Sequence, residues 1–204
     1  MEVLKYFVII INGYIIGSVS FSILISRIIH KSDIRERGSG NAGATNMARS
    51  YGLTSGLGTL FGDMFKTCLA LLNGYFILGR MGLCIAAIAC LLGHCYPVFY
   101  DFKGGKGISV GAIIAFAIDP MAFLIILAVF LIAAFASRKV SVGSVLAAFA
   151  LPIAVGFLHC GADYLILSIV AAALVIIRHR PNIIRILHGE EPDFELPKHK
   201  RKQK

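Results

Sequence analysis

The chain has 204 residues, 57% of them hydrophobic and 15% charged, with a formal net charge of +9 and a mean hydropathy of +0.80. Soluble domains carry about 25% charged residues, and a soluble domain this small has too little interior to hide so much apolar surface. That excludes a soluble globular domain and equally a disordered chain, which would be polar and charge-rich.

The remaining class is an all-α integral membrane protein. One domain is expected over 1–204, with a basic tail at 196–204. A membrane-crossing helix needs about 20 mostly apolar residues. Apolar runs fall at 4–26, 53–78, 82–99, 108–118, 121–137, 142–158 and 162–177. No small-residue cleavage site follows the first, so it reads as a retained span. The fourth is short, and the Asp119-Pro120 pair divides it from the fifth, because a residue before proline is pushed out of helix. Whether these are two spans or one is decided by charge, since Lys and Arg favour cytoplasmic loops. Of the 20 Lys and Arg, 17 lie at 27–49, 103–106, 138–139 and 178–204; Lys5, Lys66 and Arg80 are the others. A seven-span helical bundle with its N-terminus outside and its C-terminus cytoplasmic puts all 17 on the cytoplasmic side. The tail PKHKRKQK at 197–204 reads as a solvated end attracted to anionic lipid. Nucleic-acid binding is not expected. The five cysteines form no C-x-x-C, so neither a zinc site nor a disulfide framework is expected.

The loops on that side are unusual. Residues 38–49 read GSGNAGATNMAR, glycines mixed with Ser39, Asn41, Thr45 and Asn46. Such a run turns backbone N–H groups inward as an anion nest, and Arg49 adds a planar fork suited to phosphate. The bland alternative is a flexible linker. The run is not a Walker A loop, and although Gly38, Gly40 and Gly43 have the G-x-G-x-x-G spacing, no strand precedes them in an all-α chain, so a dinucleotide site is not indicated. Residues 93–107 read GHCYPVFYDFKGGKG. Lys103 and Lys106 flank Gly104 and Gly105 just before a helix start, where backbone donors and lysine favour an anion; the alternative is a positive-inside anchor. His94 reads as a structural histidine. Residues 178–191 read RHRPNIIRILHGEE, bringing guanidinium groups, His179 and Asn182 next to the last span, or else acting as a stop-transfer cluster. Ser141 and Ser144 read as caps of the sixth span. Asp63 and Lys66 lie at i, i+3 in the second span and read as an ion pair facing the bundle.

Together these three segments resemble the signature motifs of the PlsY family, the bacterial acyl-phosphate:glycerol-3-phosphate acyltransferases. The D-x-x-K at 63–66 and the serines before the sixth span are similar too; Ala42, Met47 and Ala48 depart at variable positions. The resemblance implies a seven-span enzyme of the bacterial cytoplasmic (inner) membrane with its active site on the cytoplasmic side. It implies transfer of an acyl chain from acyl phosphate to the 1-position of glycerol 3-phosphate, giving lysophosphatidic acid and phosphate, the first step of phospholipid synthesis. By motif match, Ser39, Arg49, Lys106, Ser144, His179 and Asn182 line the glycerol 3-phosphate site. Thr45, Asn46 and the neighbouring backbone hold the acyl-phosphate phosphoryl group, with Gly40, Asn41, Gly43, Lys103, Gly104 and Gly105 among the binding residues. Ser39, Arg49, Lys106, His179 and Asn182 form the catalytic set. No cofactor and no metal are expected. The partners are the two substrates, membrane lipid and, by resemblance, the soluble acyl-phosphate-producing enzyme PlsX.

His94 to Asp101 is seven apart and His159 to Asp163 four apart, so neither pair has the H-x-x-x-x-D spacing. That spacing falls at His188–Asp193, past the last span, and G-x-S-x-G falls at Gly107–Gly111, without the strand-to-helix turn that makes a nucleophile elbow. His179 is therefore expected to donate a hydrogen bond to glycerol 3-phosphate while the donor's phosphate takes the proton. The rival readings are a transporter of a phosphorylated solute, disfavoured because no internal repeat is visible, and a metal-dependent phosphotransferase, for which Asp33, Glu36 and Asp101 form no recognisable cluster.

Overall fold

The computed structural model describes residues 2–195, so the tail at 196–204 lies outside the described residues. Those residues form α-helices, 3-10 turns and loops, with no strand among them. Helix α1 (Glu2–Ser18) is followed by α2 (Phe21–Ile29). The apolar run expected as one span, 4–26, is thus broken at Val19 and Ser20, within the serine-rich stretch GSVSFS at 17–22. After a capped 3-10 turn at Ile34–Glu36 come α3 (Ala44–Tyr51) and α4 (Leu53–Cys95).

Helix α4 is two limbs. Leu78 and Gly79 leave helical geometry, Gly79 with φ +56°, and the chain doubles back. A Cβ added at Gly74 would stand 2.3 Å from the Gly82 carbonyl oxygen, whereas eight residues of straight helix rise about 12 Å. The two limbs match the expected second and third spans, except that the second ends at Cys95 and not at 99. Pro97 disfavours helix in Tyr96, and the chain passes into a 3-10 turn at Val98–Tyr100.

Then follow α5 (Ile108–Ile118), α6 (Pro120–Ser137), α7 (Val140–Phe157), α8 (Ala162–Arg178) and α9 (Arg180–Leu187). Asp119 caps α6, accepting from the Met121 and Ala122 N–H groups, with Pro120 at the first helical position. Helix α5 rises only about 16 Å, half of a hydrocarbon core about 30 Å thick. The segments Glu2–Ile29, Leu53–Tyr100, Pro120–Ser137 and Val140–Phe157 are long and apolar enough to cross a membrane; α8 with α9 is so only as a pair bent by 61°.

Packing follows residue size. In α1, Gly13 and Gly17 lie against Ala86, Ala89 and Cys90 of α4, and a Cβ at Gly17 would fall 2.2 Å from the Cys90 carbonyl oxygen. Small residues of this kind let helix backbones approach closely in lipid, where apolar burial gives no drive to associate. The main core joins α4, α5, α7 and α8 through Leu91, Val110, Ile114, Leu151 and Leu167. A smaller one of Ile23, Ile34, Ala42 and Met47 fixes the loop before α3. Outward-facing Phe76, Phe135 and Phe157 remain about four-fifths exposed, the belt expected of a lipid-facing surface.

Candidate active site

The residues 38–43 form a tight loop, with Gly38 and Gly40 at positive φ, where a side chain would be strained. Helix α3 then takes over at Ala44. The sequence reading treats 38–49 as one glycine-rich run, but Thr45 and Arg49 instead stand one helical turn apart on α3. Asn46 is the organiser of the loop. Its buried amide donates toward the carbonyls of Ile34, Arg37 and Asn41 at 2.9–3.3 Å, and its Oδ1 accepts from the Ser39 N–H at 3.0 Å. Asn46 is thereby consumed by backbone and does not line the cavity where the other loop residues meet.

The second glycine loop is clamped from both sides. The Gly105 N–H donates to the His94 carbonyl at 3.1 Å and the Gly104 N–H to that of Cys95 at 3.3 Å. Arg178 donates to the Gly105 and Gly104 carbonyls at 3.2 and 3.3 Å, its guanidinium lying over Tyr96. Lys106 is thereby presented inward. Its Nζ donates to Asn182 Oδ1 at 2.6 Å, Asn182 Nδ2 donates to Glu191 Oε1 at 2.7 Å, and Arg185 Nε donates to Glu191 Oε2 at 2.8 Å. Burial pushes the Lys106 ammonium down to about 8; Glu191 opposes this, while Arg185, Arg178 and Arg49 add to it. Burial raises the Glu191 carboxyl, but the hydrogen bonds from Asn182 and Arg185 outweigh it and leave the group below its ordinary value.

His179 lies at the turn between α8 and α9, 3% exposed. Its Nδ1 is 2.8 Å from the Val175 carbonyl oxygen. A carbonyl only accepts, so Nδ1 carries the proton and the neutral ring presents Nε2 as an acceptor. Burial holds the ring neutral, down at about 4, against the hydrogen bond to Val175 and with the help of Lys106. The expectation that His179 donates to substrate is corrected here: its one proton is spent on the backbone. Ser144 is likewise no cap. Lys139 holds the cap position of α7, and Ser144 Oγ donates to the Val140 carbonyl at 2.9 Å.

These residues surround one cavity of about 1300 Å³. Ser39, Asn41, Gly43, Thr45, Arg49, Lys106, Ser144, His179 and Asn182 line its polar end, and Leu60, Met64, Phe123, Leu127, Phe130 and Leu151 its apolar remainder. Phe61, exposed on the lipid-facing flank, lines it too. A second cavity of about 820 Å³ meets the polar end through Ser39, Asn41, Lys106 and Asn182, and brings in Gly40, Lys103, Gly104 and Arg180. Gly105 lines neither, lying against His94 and Ala42. The sequence reading missed Glu191, whose acidic type gave no hint of burial between Asn182 and Arg185, and His94, whose ring reaches the larger cavity.

An anion-binding head joined to a lipid-accessible groove defines an integral membrane enzyme working where a soluble phosphorylated compound meets an apolar chain. The comparisons agree. The glycerol-3-phosphate acyltransferase family model matches residues 7–189. A glycerol-3-phosphate acyltransferase of Finegoldia magna is 39% identical over 92% of this chain and 97% of its own, and one of Paraburkholderia phymatum is 44% identical over 90% of each. Among solved structures, the glycerol 3-phosphate form of PlsY, an integral membrane glycerol 3-phosphate acyltransferase, superposes with a TM-score of 0.88 at 34% identity, covering 93% of this chain and 96% of that one. Its lysophosphatidic acid form gives 0.85. The chain belongs to the glycerol-3-phosphate acyltransferase family.

Proposed function

We propose that the chain transfers an acyl group from acyl phosphate to the 1-hydroxyl of glycerol 3-phosphate at the cytoplasmic face of the bacterial inner membrane, as a single domain crossing it seven times. The reading is carried by the meeting of a cationic, hydrogen-bonding head and an apolar groove in one cavity. The groove takes the acyl chain. Arg49 and Lys106 hold the phosphate of glycerol 3-phosphate, with Ser39, Ser144 and Asn182 beside it. The loop 38–43 and Thr45 take the phosphoryl group of the donor, and Lys103 and Gly104 belong to the aqueous approach. A soluble enzyme of the PlsX type supplies the donor.

Proton accounting supports acyl phosphate over a thioester. The hydroxyl oxygen bonds to the acyl carbon, the carbon–oxygen bond to phosphorus breaks, and the electron pair leaves on phosphate. His179 has a backbone carbonyl, not a carboxylate, on Nδ1, and at about 4 it is a weak base. Broken at the acyl carbon–oxygen bond, the donor would expel phosphate with three negative charges, a far stronger base than a phosphate dianion that protonates near pH 6 or than His179, so the hydroxyl proton ends on the departing phosphate, which leaves as hydrogen phosphate. His179 Nε2 accepts from the neighbouring 2-hydroxyl and so sets the substrate's position, leaving the 1-hydroxyl proton free to pass to the phosphate, and positioning with charge neutralisation supplies the rate. Purified protein given glycerol 3-phosphate, acyl phosphate and no added metal is expected to release phosphate only when both substrates are present. Comparable turnover with acyl-CoA overturns the reading.

A further inference from the structure

Three ionisable side chains are buried within the helices beneath the glycine loops: Asp63 at 1%, Lys66 at 3% and His94 at 5% exposure. Charges placed there are costly and mark function unless paired. Lys66 has three protons and three acceptors. It donates to the Gly17 carbonyl at 2.8 Å, to the Val19 carbonyl, and to His94 Nδ1 at 3.1 Å, with Asp63 Oδ1 balancing its charge at 3.2 Å. The two carbonyls are ones that the break between α1 and α2 releases from helix bonding.

The third bond fixes the histidine. An ammonium only donates, so His94 Nδ1 is the acceptor and the ring proton is on Nε2, the reverse of His179. Nε2 lies between the two glycine loops. A Cβ added at Gly105 would stand 2.2 Å from it and 2.9 Å from the Ala42 carbonyl oxygen. Among the described residues no protein group accepts from Nε2, and it is not among the atoms sealed from the surface; the ring reaches the cavity.

We propose that His94 is a further catalytic residue, its Nε2–H donating to the phosphoryl group of the acyl donor, with Lys66 and Asp63 as positioning residues that hold the ring in the donating tautomer. A fixed neutral donor between two anion loops stabilises charge on the departing phosphate without having to move as that charge develops. This rests on the acyl-phosphate reading above.

The test uses full-length protein in lipid. His94→Leu leaves one proton of buried Lys66 without its acceptor and is expected to melt somewhat lower, yet to keep its KM for glycerol 3-phosphate, while kcat/KM for acyl phosphate falls about 100-fold, the loss seen when one such donor is removed. His94→Gln, which still carries an N–H, is expected to retain more. In histidine-labelled protein, nitrogen NMR is expected to show Nδ1 bare and Nε2 protonated, with the Nε2 signal moving when a non-hydrolysable acyl phosphonate binds. Lys66→Met is expected to mix the tautomers. Unchanged kcat/KM for acyl phosphate in His94→Leu, or a protonated Nδ1, overturns the assignment. So does an Nε2 signal indifferent to bound phosphonate, which remains decisive if the leucine variant does not fold. Failure of the wild-type protein to release phosphate from acyl phosphate instead sinks the reading on which it rests.

Discussion

Lys106 and Arg49 grip an anion in different ways, and the difference is measurable. Lys106 is held down at about 8, so its positive charge is intact at neutral pH and drains away as the pH rises through that value. The kcat/KM for glycerol 3-phosphate is expected to fall on the alkaline side of about pH 8; a plateau reaching pH 10 would remove Lys106 from the phosphate grip. The contribution of Arg49 is its fork. Arg49→Lys keeps the charge and loses the two-pronged contact, so KM for glycerol 3-phosphate is expected to rise on the order of tenfold with kcat little changed, as steady-state kinetics would show. Residue type singled out Arg49 and Lys106 in the sequence as cations among glycines, and the fold brings both to the lining of one cavity. It misled at Asn46 and His179. There the deciding fact is which backbone carbonyl lies within 3 Å, and that is a property of the folded chain alone.

At the level of helices, hydropathy located the apolar runs, and proline marked the turn at the Asp119-Pro120 pair. It missed the break at Val19 and Ser20, because the serines of GSVSFS at 17–22 are too few to end the apolar run, and the released carbonyls are satisfied by Lys66, 47 and 49 residues away. It missed α3 and α9 as helices for another reason. Each has 8 residues, too few to display a periodicity, and each is held by packing and not by propensity. The contact of α1 with α4 depends on absent side chains. Gly17→Leu would drive a branched side chain into the Cys90 backbone, which has no rotamer to yield. The variant is expected to lose several kcal/mol and to melt well below wild type in detergent, whereas Gly111→Leu, with open space at its Cβ, should leave the melting temperature intact. Gly111 lines the groove, so that second variant is expected to shift donor preference toward shorter acyl chains, read by competition between donors of two lengths.

For the whole molecule, the distribution of charge predicts orientation. Reporter fusions are expected to put the turn at Arg138 and Lys139 in the cytoplasm and Arg80 outside, where it pairs with Asp163 at 2.6 Å; the reverse result would invert the bundle. Helix α5 then acts as a ruler. Eleven residues separate Gly107 from Asp119, so on the proposed topology the loop bearing Lys106 is expected roughly one leaflet below the plane that a full-length span would reach. On the proposed reaction the lipid-borne substrate is expected to meet the reaction centre at its own depth, while the water-borne one makes the descent. The donor's concentration is therefore counted per area of bilayer and not per volume of buffer. In proteoliposomes the rate should fall when acyl phosphate is thinned with inert lipid at constant bulk amount, and should hold when the same vesicles are merely diluted in buffer containing constant glycerol 3-phosphate.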